Sequence, residues 1–132
     1  MVSRRLTIEN DDRHYSLADC LWIHDRTGIP VLFDVFHHHL NHSGEPVASA
    51  LIAAAATWQG DSGKLLVDYS SQAPAGKPGT HVDSLDEADF MAFLQESRDT
   101  DFDLMLEIRD KEASALRALA LLQPTLCLQR PV

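Results

Sequence analysis

Apolar positions along this 132-residue chain gather into four short runs, and each run ends on an acidic residue. Leu6-Thr7-Ile8 ends on Glu9, Val31-Leu32-Phe33 on Asp34, Leu65-Leu66-Val67 on Asp68 and Leu104-Met105-Leu106 on Glu107. Runs this short, apolar on both faces, predict buried parallel strands. A polar turn and a stretch of helical pattern follow each one, which predicts four βα units. In such repeats the strand carboxyl ends converge on one mouth, where barrel folds carry their sites. Four carboxylates gathered there repel one another unless positive charge lies between them, and a divalent metal cluster is the economical source.

Local punctuation sets the expected boundaries. The first strand is expected over about residues 4–9, followed by an Asn10–Arg13 loop. Ser16-Leu17-Ala18-Asp19 resembles a capping box with Asp in place of Glu, and opens a helix that runs to about Arg26 and stops at Gly28. Pro30 leads into a second strand, about Val31–Val35, and His37 to Gly44 reads as a His-rich loop. Pro46 fits the first turn of an Ala-rich helix through Trp58. After a Gly60–Gly63 turn, the third strand is expected at Lys64–Tyr69, then a long Gly/Pro loop from Ser70 to Thr80.

Ser84-Leu85-Asp86-Glu87 reads as a capping box opening a helix to about Arg98, with Leu85, Ala88, Met91 and Ala92 near helical spacing. The fourth strand is expected at Phe102–Ile108. A last helix from Asp110 or Lys111 then carries a buried stripe of Ala113, Leu116, Leu119 and Ala120, and ends at Pro124. The expected fold class is α/β, with residues 1–132 as a single partial TIM (β/α)8 barrel domain of four βα units and 123–132 as a tail.

A net charge of −9 argues against holding nucleic acid by charge alone, although acidic residues that ligate a cation reverse the local field. Cys20 and Cys127 lie too far apart in sequence for a CxxC site and do not make a disulfide framework, so a reducing cytoplasm is expected. No apolar segment follows the basic Arg4-Arg5, as a secretory signal would require, and Ala48 to Trp58 is too short to span a bilayer. Neither a GxSxG nucleophile motif nor a Walker or dinucleotide glycine pattern occurs.

Candidate ligands stand at the strand ends. Asp34 and His37 are three apart, which in a continuing strand puts them on opposite faces, so they share a metal only if the chain turns just past Asp34. A carboxylate beside an imidazole suits a borderline divalent ion. His38, His39 and His42 read as loop or supporting residues. Taken singly, Glu9 fits N-terminal capping or a surface charge, roles that suit Asp11 and Asp12 better, Glu107 fits an ion pair with Arg109 or Lys111, and His81 a surface histidine. Asp68, between Val67 and Tyr69, needs a partner once desolvated. Joint placement at one mouth is what raises these residues above their separate readings.

Five blocks occur in order: Leu6 to Asp12, Phe33 to His38, Asp68-Tyr69-Ser70-Ser71-Gln72, His81-Val82-Asp83 and Leu104 to Glu112. Together, from about Arg4 to Leu122, they resemble the C-terminal half of the UV damage endonuclease family (UvsE/UvdE). The resemblance implies a TIM barrel similar to endonuclease IV that nicks UV-damaged DNA on the 5′ side of photoproducts with a cluster of divalent metals, manganese in particular. It makes Glu9 a metal-bridging carboxylate, Asp34 and Glu107 further ligands, and His37 and His81 ligands of another metal. Asp68 stands where much of the family has His, and Leu66 where many members have Lys.

The family's N-terminal four strands find no counterpart here. The expectation is therefore a domain incomplete or inactive alone, which forms a homodimer or pairs with a separate N-terminal half. Two other readings stand beside it: a non-catalytic metal-binding or interaction remnant, and a sugar isomerase or epimerase of the metal TIM-barrel superfamily.

Overall fold

The computed structural model describes residues 5–127. Four strands, β1 (Ile8–Glu9), β2 (Val31–Asp34), β3 (Leu66–Tyr69) and β4 (Asp103–Leu106), form one parallel sheet in the order 1-2-3-4. Helices α1 (Leu17–Thr27), α2 (Val35–Leu40), α3 (Val47–Ala55), α4 (Glu87–Glu96) and α5 (Glu112–Cys127) connect or follow them. This is the α/β succession of βα units expected of half an eight-unit barrel. Each strand is shorter than the bounds expected for it from the sequence.

Register explains which side chains are buried. Ile8 pairs with Val31, Phe33 with Val67, and Tyr69 with Leu106, so these residues share the face that meets the helices. There they pack on Leu17 and Cys20 of α1, Ala50, Leu51 and Ala54 of α3, and Phe90 and Phe93 of α4. Tyr69 stacks on Phe93 at 5.0 Å and meets Phe90 edge-on at 5.2 Å, while its hydroxyl donates to Asp89 at 2.5 Å. Leu66 and Met105 belong to the other face and are exposed, Met105 by 62%. The runs that read as buried on both faces are thus covered on one.

Several boundaries differ from expectation, each for a local reason. Ser16 caps α1 in a capping box with Asp19, and Gly28 ends it at φ 71°, both as read from the sequence. The His-rich stretch, however, is no loop: Asp34 caps α2 by accepting the His37 N–H at 2.7 Å, so His37 to Leu40 are helical. Pro46 is the cap residue of α3 rather than part of its first turn. Ser84 does not cap α4, since its hydroxyl donates to Asp110 at 2.6 Å, and Asp86 accepts the Asp89 N–H instead.

The last helix differs most. The expected stripe of Ala113, Leu116, Leu119 and Ala120 is exposed, Leu116 by 67% and Leu119 by 57%. Ser114 and Ala118 face inward instead. Ser114 is bonded to Asp110 and accepts the Leu85 N–H at 2.9 Å, so a small polar residue brings α5 close to the loop before α4. The helix also passes Pro124, where it was expected to end, and reaches Cys127. Of the expected tail, residues 128–132 lie outside the described residues. None of the described helices is long and apolar enough to cross a membrane.

Candidate metal centre

Parallel register brings the strand-end acids together. Asp34 and Asp68 are Cα partners across β2 and β3, and therefore project from the same face side by side. Glu107 follows β4, where its N–H donates to Tyr69 O at 2.9 Å, and Glu9 ends β1 opposite Leu32. Two groups of potential ligand atoms result: Glu9, Asp34 and His37, and Asp34, Asp68 and Glu107, the atoms of each group lying within 4.8 Å of one another. Asp34 belongs to both.

The turn that the Asp34–His37 pair requires is the start of α2. One Asp34 oxygen accepts the His37 N–H, and the other lies 3.2 Å from His37 Nδ1, which is also 3.3 Å from Glu9 Oε1. His37 Nδ1 donates to Asn10 O at 2.9 Å, which leaves Nε2 as the nitrogen for a ligand. His81 is in neither group. Its ring lies 6.5 Å from that of His37, and its Nδ1 donates to Glu107 O at 3.0 Å, likewise leaving Nε2. His38 is buried and donates from Nε2 to Glu45 O, while His39 and His42 belong to neither group.

Asn10 is the residue that sequence reading passed over. It is 0% exposed, and its side chain pairs with both backbone groups of Asp34, accepting from Asp34 N and donating to Asp34 O at 2.9 Å each. It thus prolongs the β1–β2 pairing beyond Glu9 with a side-chain amide. The available signal was an Asn placed directly after the strand-end acid. Asp11 next to it accepts from Arg13 N and Tyr15 N and fixes the loop, and Asn41 at the end of α2 donates to Asp11 O at 3.1 Å.

The electrostatics fit a cation. Burial pushes the Asp34 carboxyl, only 1% exposed, up to about 7, against the lowering effect of the His37 N–H. Burial and then the Glu107 and Glu9 charges push Asp68 up to about 6, and no described group donates to its carboxylate. His37 is raised to about 9, first by its hydrogen bond to Glu9 and further by the Asp34 charge. The site therefore holds a proton on imidazole where a metal would put its own charge. Four carboxylates and an imidazole, two of the carboxylates buried, match the oxygen-rich mixed donor set of manganese or magnesium.

Fold and site together define a TIM-barrel-type α/β protein with a carboxylate and imidazole cluster at the carboxyl ends of its strands. The chain belongs to the UV-endonuclease UvdE family, whose model matches residues 1–130. It is similar to the UV DNA damage endonuclease of Clostridium perfringens, with 35% identity over 121 residues covering 88% of this chain and 29% of that protein. The UV DNA damage endonuclease of Bacillus velezensis is 31% identical over 89% of this chain and 38% of its own length. The crystal structure of SacUVDE matches with a TM-score of 0.86 and 45% identity, over 92% of this chain and 40% of that one. The chain thus spans about a third of the length of the curated relatives it matches.

Proposed function

We infer that this chain supplies the carboxylate half of a divalent-metal site for incision of UV-damaged DNA on the 5′ side of the lesion. The observation that carries the reading is Asp34, a buried carboxylate shared by two ligand groups and built into both a strand end and a helix cap. Glu9, Asp34 and His37 would hold one cation, and Asp34, Asp68 and Glu107 a second, with His81 Nε2 at the rim. Manganese is the expected ion. A divalent cluster supplies Lewis-acid stabilisation of the negative charge that develops on phosphate oxygens.

The protein groups do the positioning. Asn10 fixes Asp34 relative to β1, the α2 cap fixes His37 relative to Asp34, and the Glu107 carbonyl orients His81. Preorganised donors of this kind keep ligand geometry unchanged through the reaction. β1 and β4 each keep one unpaired edge among the described residues, and such edges accept another strand. A second copy or the family's N-terminal half would occupy them and complete the wall of the mouth.

The test is incision of a UV-irradiated duplex oligonucleotide with added manganese, by the purified chain alone and mixed with a separately produced N-terminal half of a relative. Nicking 5′ of the lesion, lost in Glu9→Gln, is the expected result. Absence of nicking in both mixtures, from protein that binds manganese, would replace this reading with that of a non-catalytic metal-binding module.

A further inference from the structure

The geometry points to Lys77 and Lys111, on the loops that follow β3 and β4, as a pair of contacts for the phosphodiester backbone of nucleic acid. This inference rests on the endonuclease reading and extends it to how so acidic a chain holds a polyanion.

The chain's other cations are mostly spent on neighbours. Arg13, Lys64, Arg98, Arg109 and Arg117 each lie within ion-pair distance of a carboxylate, and Arg26 stacks over Trp22 at 3.6 Å. Lys77 and Lys111 are exposed and have no carboxylate partner among the described residues. Arg5 shares that property, but it precedes β1 and so lies at the opposite end of the sheet. Both lysines sit on loops that leave the carboxyl ends of strands, β3 for Lys77 and β4 for Lys111.

Their backbones are held in place. Gln72 donates from Nε2 to Ala73 O and Lys77 O, at 3.0 and 2.9 Å, and accepts the Gly79 N–H at 2.9 Å. Lys77 O also accepts from Thr80 N, and a bridge between Gln72 and His81 joins the base of this loop to the mouth. Lys111 lines the same cleft as His81, Glu107 and Arg109. It is the one non-glycine residue with positive φ among the described residues, at 44°, and its N–H donates to Ile108 O.

That conformation disfavours any side chain, and glycine would adopt it freely. A lysine held there in spite of the strain is an observation that a side-chain role accounts for and turn geometry does not. The ligand is a phosphodiester backbone, since ammonium groups on the two loops beside a carboxylate site suit backbone phosphates and read no base.

The experiment is anisotropy of a labelled duplex, undamaged and UV-irradiated, titrated with the full chain in manganese buffer across a series of KCl concentrations. Lys77→Gln and Lys111→Gln should each flatten the slope of log affinity against log salt by about 1, and the double variant by about 2, equally on both duplexes. Manganese affinity, read by calorimetry, should not change. Lys111→Gly separates the side chain from the turn: it should raise Tm and yet lose the same slope as Lys111→Gln. Wild-type slopes in the variants, with wild-type protein binding DNA, would overturn the lysine contacts alone. A wild-type chain that binds manganese and neither duplex would overturn the lysine contacts, while the endonuclease reading stands or falls separately on incision in the mixture with the N-terminal half.

Discussion

Asp34 carries two duties whose effects can be separated. As the cap of α2 it accepts an amide N–H, a role that asparagine fills equally well, whereas only a carboxylate offers the charge for a cation. Asp34→Asn should therefore leave thermal stability of the metal-free protein nearly unchanged or higher, while manganese affinity measured by calorimetry falls by roughly 10-fold or more. Asn10→Ala removes both bonds to the Asp34 backbone and leaves buried groups unpaired, which should cost roughly 2 kcal/mol in urea unfolding. Of the six ligand candidates named from the sequence, Glu9, Asp34, His37, Asp68 and Glu107 lie together in the two groups, and His81 lies outside them. Asn10 was not legible from the sequence, because an amide that substitutes for backbone pairing has no spacing rule.

The same residues make stability depend on pH in a definite direction. Asp34 and Asp68, raised to about 7 and about 6, hold protons that the unfolded chain has already released, so each destabilises the fold as pH climbs from about 4 through those values. His37, raised to about 9, stabilises the fold below its unfolded value near 6.5 and loses that contribution as pH rises through 9. All three act together, so Tm of the metal-free chain should fall steadily from pH 4 to pH 9. Saturating manganese should reverse the trend above pH 6, since binding favours the ionised carboxylates. Scanning calorimetry across this range checks both curves.

At the scale of elements, caps decide where helices begin, and two adjacent cap candidates compete before α4. Asp86 is the working cap and Ser84 is tied to Asp110, so Asp86→Ala should cost about 1 kcal/mol of unfolding free energy through loss of a cap. A denaturation series comparing Asp86→Ala with Asp86→Asn, which keeps an acceptor, isolates that contribution. The α2 helix shows the same physics from the other side. A run of three histidines lacks an apolar period, and only the Asp34 cap, visible once the strand end is fixed, turns it into helix.

The whole molecule leaves apolar surface uncovered on the sheet face of Leu66 and Met105 and on the α5 face of Leu116 and Leu119. Beside them, β4 and α5 line a cleft of about 950 Å³ that includes Leu104, Leu106 and Leu122. Exposed apolar patches next to open strand edges drive association. Light scattering after gel filtration should show the mean mass rising with concentration, and Met105→Lys should return it toward that of one chain. A constant monomer mass at every concentration would count against edge-to-edge pairing.

The alternation of apolar runs and helical stretches, together with the acid after each run, determined by itself the four βα units and the acids at one mouth. Both follow from local backbone preference and from the shared direction of parallel strands, which short-range pattern encodes. Tertiary structure decided the rest. It selected which face of each strand is covered, turned α5 to bury Ser114 and Ala118 in place of its leucines, and drew Asp34, Asp68 and Glu107 within ligand distance. Those outcomes depend on register between strands and on which surfaces meet, and such long-range contacts are set by packing of the whole sheet rather than by the period of any one segment.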